Sequence, residues 1–413
     1  VELRERYLRE GQISASNPRF APFYYGNLCS KSPRYYQRIA VDRTVEAIYN
    51  GRKRMMIVLA TGTGKTFIAM QILYKLMVAT KTVKRALFLV DRNALADQPL
   101  THDFKPIAKS CNKITKGVMD TAHPIQIALY QQLSNTARDD GDDDDFEMPY
   151  KDYPPDYFDL IIVDECHRGS ASEDSKWREI LEYFKDAAQV GMTATPKEDR
   201  EASTSQYFGE PLYMYSYRSG VEDGFLAPFY LINKFSNIEH GLPEGVVDRE
   251  GNPVDSDVGT KDYDRRVVVE SRSRWVAREI VEYMKETGDM YAKTIVFCED
   301  TYAAEMMREH IRELVPDLVK EDPRYVMRIT GNDKEGKGQL PNFNATGERY
   351  PVIATTSELM TTGVDSVMCK IIAINKNIAS LTEFRQILGR GSRISEPNGK
   401  LAFTLLDFKN VSQ

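Results

Sequence analysis

One stretch constrains this chain more than any other. The apolar run Met55–Leu59 passes into Ala60-Thr61-Gly62-Thr63-Gly64-Lys65-Thr66, and a helical stretch over Phe67–Met77 follows, with Ile68, Ile72 and Met77 near helical spacing. Strand, glycine loop and helix in this order make a phosphate loop. Gly62 and Gly64 let the backbone curl so that its N–H groups face inward, and the helix N-terminus adds partial positive charge. Lys65 meets phosphate as a point charge. The Thr66 hydroxyl suits Mg²⁺. The longer consensus asks for glycine at Leu59, so the match is to the xGxGK[ST] end. Thr61, Gly62, Thr63, Gly64, Lys65 and Thr66 are the candidate nucleotide-holding residues, with ATP and Mg²⁺ as the expected ligands.

The second anchor is Asp159-Leu160-Ile161-Ile162-Val163-Asp164-Glu165-Cys166-His167. A buried strand delivers two adjacent carboxylates at its carboxyl end, where open α/β sheets bind ligands. Asp164 is suited to hold Mg²⁺ together with Thr66. Glu165 points elsewhere and can orient or deprotonate a water.

These anchors sit in a repeating pattern. Met55–Leu59, Ala86–Val90, Ile125–Leu129, Leu160–Val163 and Gln189–Met192 are short apolar runs bounded by turn residues. A second series follows at Thr294–Cys298, Tyr325–Thr330, Val352–Thr355, Ile371–Asn375 and Ala402–Leu406. Amphipathic stretches separate them. The alternation predicts two α/β domains, each a mostly parallel sheet with helices on both faces. The expected boundaries are an N-terminal arm over 1–32, a first domain over 33–228 with a polar, acidic insertion at 134–158, and a second domain over 229–413 with an excursion at 236–258 rich in Gly, Pro and Asp.

Composition narrows the function classes. No apolar run approaches the roughly 18 residues of a membrane span, and no basic-then-apolar leader opens the chain. The five cysteines are scattered without a CxxC pair, and the five histidines without HExxH, against a disulfide framework or a zinc ribbon and for a reducing cytoplasm. The net charge of −6 is owed to one run, Asp139, Asp140 and Asp142–Asp145; without it the chain is neutral. Such a block is expected to be a solvated loop, with a DNA-mimicking or partner-docking role as the alternative, and the neutral remainder neither demands nor excludes nucleic acid.

The anchors belong to an ordered set that resembles the superfamily 2 helicases and translocases. Asp164-Glu165-Cys166-His167 is similar to motif II, and Gln37 after Arg34-Tyr35-Tyr36 to the adenine-reading Q motif. Phe88–Arg92 is similar to motif Ia, Gly191–Pro196 to motif III, Thr294–Cys298 to motif IV, Thr355-Thr356 through Gly363-Val364-Asp365 to motif V, and Gln386–Arg393 to motif VI. The finer resemblance is to the motor (R) subunit of type I restriction–modification enzymes. It is carried by Arg34–Gln37, Leu87–Arg92, Val163–Gly169, Tyr215–Arg218 and Asp223–Leu226, and it covers nearly the whole chain.

The resemblance implies two RecA-like P-loop NTPase domains with ATP between them, and an ATP-dependent double-stranded DNA translocase. Arg390 and Arg393 become arginine fingers, catalytic beside Lys65 and Glu165. Gln37, Gly363, Asp365 and Gln386 join the nucleotide site. Thr193, Thr195 and His167 couple nucleotide state to the DNA track. Arg92, Thr355 and Thr356 touch DNA phosphates, although Arg92 could instead pair with Asp91 or Asp97. Tyr35 and Tyr36 either stack on adenine or pack in the core. The implied partners are double-stranded DNA and the methyltransferase (M) and specificity (S) subunits, in a bacterial or archaeal cytoplasm, with no membrane. The family also has a PD-(D/E)xK nuclease domain ahead of the motor and a helical region behind it. The stretch ending at Leu59 is too short for that nuclease, and Glu335-Gly336-Lys337 with Asp322 is a chance match in a loop, so the chain is read as the motor piece of a longer subunit. Two other readings stay open: a strand-separating repair helicase, and a nucleotide switch that does not hydrolyse, which the presence of Glu165 and the arginines opposes.

Overall fold

Leu160-Ile161-Ile162-Val163 has no alternation of polar and apolar residues, the pattern of a strand covered on both faces. In the computed structural model it is a wholly buried strand, β5 (Leu160–Asp164). The structure describes residues 17–26, 32–90, 103–114, 120–129, 133, 149–166, 178–194, 206–235, 270–331, 333–357, 366–378 and 380–411. The chain divides into two units, Val1–Ser219 and Gly220–Gln413.

In the first unit β1 (Arg54–Leu59), β2 (Ala86–Val90), β3 (Cys111–Lys113), β4 (Ile125–Leu129), β5, β6 (Ala188–Thr193) and β7 (Pro211–Tyr215) form one sheet in the order β3-β4-β2-β5-β6-β1-β7. Every pairing is parallel, so all loops that follow a strand open on one edge. Met56, Val58, Leu87, Leu89, Ile161 and Val163 share a core with Phe158, Ile180, Phe184 and Phe208. Their neighbours Met55, Ile57, Phe88 and Ile162 are equally buried, as a period of two with both faces covered requires.

In the second unit β8 (Phe229–Asn233), β9 (Lys293–Cys298), β10 (Val326–Arg328), β11 (Ile353–Thr356), β12 (Cys369–Asn375) and β13 (Phe403–Asp407) pair in the order β10-β11-β9-β12-β13-β8, again all parallel. Val296 and Cys298 pack with Val276, Ile280, Met307 and Ile311. Ile295 and Phe297, on the opposite face, pack with Phe343, Ile387 and Leu388. Helices therefore cover both faces of this sheet. The predicted α/β class with two parallel sheets is the observed one.

Three strands escape the sequence patterns. β3 is three residues long and polar. β7 and β8 are edge strands whose residues are only partly covered; their apolar runs, Leu212–Tyr215 and Phe229–Ile232, each follow a proline, and an edge tolerates the one that opens β7. The helix expected over Phe67–Met77 changes character. After α1 (Tyr35–Tyr49), helix α2 (Lys65–Leu73) is buried over nearly all its length and passes into π-helical turns over Tyr74–Ala79. The insertion expected at 134–158 ends earlier. Tyr150 and Phe158 belong to the first core, with Tyr153 and Tyr157 against it; the aromatic residues, not the acidic charge, decide the fate of 149–158. Residues 134–148, with the aspartate run, and the excursion 236–258 lie outside the described residues. Glu335-Gly336-Lys337, read as a loop, instead opens helix α7 (Lys334–Asn344), capped by Asp333. It follows α3 (Tyr217–Glu222), α4 (Glu270–Glu286), α5 (Thr301–Leu314) and α6 (Pro316–Glu321) and precedes α8 (Leu381–Gly391).

The later part of the arm is fastened to the first unit. Arg19 pairs with Glu46 at 3.0 Å. The backbone N–H of Tyr24 donates to Gln71 Oε1 at 2.9 Å, and Gln71 Nε2 donates to the Tyr24 carbonyl at 3.2 Å. Lys75 Nζ, fully buried, donates to Asp42 Oδ1 at 2.7 Å and to the Arg19 carbonyl at 2.9 Å, and it lies 3.9 Å from the centre of the Phe23 ring. Burial pushes the Asp42 carboxyl above its ordinary range and the Lys75 ammonium below its own, and their mutual hydrogen bond opposes both shifts. Removing one member leaves the other charge buried and unpaired, at a cost of about 3–5 kcal/mol. Asp42→Ala is therefore expected to lower unfolding stability by about 3 kcal/mol, read as a fall in the urea midpoint with an unchanged slope. A loss below about 0.5 kcal/mol, the size of a surface substitution, would rule out this role.

Candidate nucleotide site

The site grows from the strand order. β5, β6 and β1 lie side by side, so their carboxyl ends bring together residues far apart in the chain. The phosphate loop leaves β1 at Leu59. Asp164 is the last residue of β5 and Thr193 the last of β6, with Asp164 opposite Met192 and Thr193 opposite Val58. Thr193 is 1% exposed and fills the edge between the two anchors.

Gly62 and Gly64 have φ of 88° and 85°, values that only glycine takes without strain. Gly64 caps α2 with no side-chain hydrogen bond to the helix. The first N–H groups of α2 therefore stand at a concave glycine loop, the arrangement that receives an anion. The loop is tied internally, with Thr63 Oγ1 donating to the Ala60 carbonyl at 2.6 Å. Thr61, Gly62, Gly64, Lys65 and Thr66 keep partial exposure.

Lys65 Nζ lies 3.1 Å from Glu165 Oε1, their side chains 9% and 19% exposed. The loop lysine and the second carboxylate of Asp164-Glu165 thus form an ion pair. Glu165 has a φ of 51°, a left-handed conformation uncommon outside glycine. Its N–H donates to Asp164 Oδ1 at 3.0 Å, and the Cys166 N–H donates to the Met192 carbonyl at 3.1 Å. These bonds hold the turn over Asp164–Cys166. Burial pushes the Cys166 thiol far above its ordinary range, so it packs as a neutral side chain and is no nucleophile. A hydroxyl at Thr66 and a carboxylate at Asp164 are hard oxygen donors suited to Mg²⁺ with phosphate oxygens completing the shell. Among the described residues no larger group of His, Cys, Asp or Glu gathers as a metal cluster.

Gln37 does something the motif alone does not reveal. Its Oε1 accepts from the Arg34 N–H at 2.9 Å and its Nε2 donates to the Thr63 carbonyl at 2.8 Å, so it grips the phosphate loop. The alternatives for the tyrosines separate: Tyr36 is wholly buried, while Tyr35 is half exposed. Tyr36 Oη donates to the Thr63 carbonyl at 2.9 Å. Sequence reasoning missed this hold, and the aromatic Arg34-Tyr35-Tyr36-Gln37 run was the only trace of it.

In the second unit, Gln386 and Arg390 lie one turn apart on α8, each 8% exposed. Ser380 caps the helix by accepting from the Glu383 N–H at 3.1 Å. Its other end is held by Lys400, whose Nζ donates to the carbonyls of Gly391 at 2.7 Å and Arg393 at 2.6 Å. Thr355 and Thr356, expected to touch DNA phosphates, are instead 0% exposed on β11, and neither hydroxyl has a hydrogen-bond partner. They are interior residues here. His167, Thr195, Arg92, Gly363 and Asp365 fall outside the described residues. No helix among the described residues is long and apolar enough to cross a membrane.

A parallel sheet with a phosphate loop, an Asp-Glu turn beside it, and a second parallel-sheet unit carrying a buried glutamine and arginine define a RecA-like helicase-type motor. The family model "Type III restriction enzyme, res subunit" matches residues 30–198. The chain is 48% identical to the endonuclease subunit of the type I restriction enzyme EcoAI of Escherichia coli, over 100% of this chain and 50% of that protein. It is 32% identical to the EcoKI endonuclease subunit of Escherichia coli strain K12, over 92% of this chain and 34% of that one. A solved fragment of an HsdR subunit of a type I restriction enzyme from Vibrio vulnificus superposes with a TM-score of 0.77 at 36% identity, covering 100% of this chain and 71% of the fragment. The chain belongs to the HsdR family, the endonuclease subunits of type I restriction enzymes, and spans at most half the length of these two full-length relatives.

Proposed function

We propose that this chain is an ATP-dependent double-stranded DNA translocase, the motor part of a type I restriction endonuclease subunit. The observation that carries the reading is the Lys65–Glu165 ion pair at the carboxyl edge of β1 and β5. The carboxylate holds the ammonium in place for phosphate. When the nucleotide's phosphates arrive they compete for Lys65, and Glu165 is released to orient a water for attack on the γ-phosphorus. The loop N–H groups and the α2 N-terminus hold the phosphate oxygens, Thr66 and Asp164 would hold Mg²⁺, which neutralises phosphate charge, and Gln386 with Gly363 and Asp365 serves the nucleotide. Arg390 and Arg393 neutralise the negative charge that develops on the transferred phosphoryl group. Thr193, Thr195 and His167 pass nucleotide state to the DNA track, where Arg92 contacts phosphates. Thr355 and Thr356 could join it only if the chain around β11 moves. Phosphate contacts carry no sequence information, which suits a motor whose target is chosen by a specificity subunit. M and S subunits are the proposed partners, the cytoplasm the proposed setting, and cleavage belongs to a region outside this chain.

The experiment is steady-state ATP hydrolysis with no DNA, single-stranded DNA or duplex. Turnover is expected to rise mainly with duplex. Stimulation mainly by single strands would replace the translocase with a strand-separating helicase, and ATP binding without turnover in any arm would favour a nucleotide switch.

A further inference from the structure

We propose that Tyr36 and Tyr215 form an aromatic latch that ties the phosphate loop to the segment 216–227, and through it to the arginine-bearing turn after α8. The inference rests on the nucleotide-site reading above and adds to it how the state of the loop leaves the site.

The route starts at the loop. The Thr63 carbonyl accepts from Tyr36 Oη at 2.9 Å. The Tyr36 ring stacks on Tyr215, with centroids 4.0 Å apart and planes 7° from parallel; the two residues are 0% and 3% exposed. Tyr215 ends β7, opposite Leu59, and its carbonyl accepts from the Ala60 N–H at 3.0 Å. One stacked pair thus holds the loop at its entrance and at its crest. The loop carbonyl cannot tilt without moving the rings or breaking the hydrogen bond, and buried side chains at this packing pass on displacement instead of absorbing it.

The route continues past the boundary of the two units by the chain itself. Tyr215 Oη donates to the Ser219 carbonyl at 3.4 Å, and Ser219 is the last residue of the first unit. Gly220 follows, and it has no room for a side chain: a Cβ there would lie 2.6 Å from Leu226 Cδ1. The N–H groups of Phe225 and Leu226 donate to the Gly220 carbonyl at 2.8 and 2.9 Å, so 220–226 is a closed turn. Leu226 and Ala227 are both 0% exposed. The Ala227 N–H donates to the Ser392 carbonyl at 2.7 Å. Ser392 stands between Gly391 and Arg393, two residues after Arg390. Each contact lies within one unit, and only the covalent chain passes between them.

A chain of contacts becomes a coupling route only when a perturbation at one end is read at the other. Amide hydrogen exchange of the full 413-residue chain, with and without MgATPγS, reads both ends in wild type, Tyr36→Phe and Tyr215→Phe. Each variant removes one hydroxyl and keeps the ring stack. In wild type, nucleotide is expected to slow exchange about tenfold or more over both 60–66 and 217–227. In each variant the loop is expected to remain protected while the change over 217–227 falls below about twofold. A variant whose 217–227 response equals wild type overturns the latch, as does a wild-type response confined to the loop. If wild type shows no protection at 60–66, or if Lys65→Ala keeps it, the nucleotide site itself is misassigned and the latch falls with it. Should one variant fail to fold, the other decides the outcome.

Discussion

Arg390→Ala is expected to lower ATP hydrolysis by about 10³–10⁵, the effect of losing an arginine finger in other phosphoryl-transfer systems, while MgATP binding stays within about threefold. The arithmetic follows from when the charge matters. On the proposed assignment the loop amides and Lys65 hold the ground-state phosphate, so a residue that meets only the developing charge shows in kcat and not in affinity. Arg390 is buried in the last turn of α8, so its removal could instead open the core. The thermal midpoint separates the two: the catalytic reading requires a midpoint within a few degrees of wild type. Arg390→Lys is expected to recover little, because a point charge does not reproduce the planar fork. Retention of more than a tenth of wild-type turnover in Arg390→Ala would remove Arg390 from the catalytic set.

Lys65→Ala is expected to lower hydrolysis by about 10²–10³ or more, the loss seen when one preorganised charge-stabilising donor is removed. It should also weaken MgATP binding, since the proposed role has Lys65 meet phosphate in the ground state as well as during transfer. The structure adds a second consequence. Glu165 loses its ion-pair partner at 3.1 Å. Glu165→Gln is the informative companion. It keeps the shape, leaves Lys65 free for phosphate, and should hold ATP at least as tightly as wild type while losing about 10²–10⁴ in rate. Equal turnover in Lys65→Ala and wild type, measured by phosphate release, would sink the nucleotide assignment.

Most of the fold was legible because a parallel sheet covered on both faces demands short, continuous apolar runs. Leu160–Val163 and Thr294–Cys298 meet that demand openly. β7 and β8 carry apolar runs as well, Leu212–Tyr215 and Phe229–Ile232, but each follows a proline that reads as a turn, and as edge strands they are covered on less of their surface. Residues 149–158 were misjudged for a related reason. The acidic run ahead of them dominates the local composition, while the contacts that bury Tyr150 and Phe158 come from residues 180–184, more than twenty positions away.

The candidate site divides the same way. The chain alone determined where a glycine loop would join a strand to a helix, since the run Gly62–Thr66 is contiguous, and it determined that Asp164-Glu165 would end a buried strand. Tertiary structure alone decided that Lys65 and Glu165 meet, because the order β5-β6-β1 brings together strands about a hundred residues apart. It also decided that Gln37 grips the loop, that Thr355 and Thr356 turn inward, and that Tyr36 stacks on Tyr215. Local sequence sets which conformations a segment can adopt; which distant side chains share a volume depends on the register and order of strands, which no short window of the chain encodes.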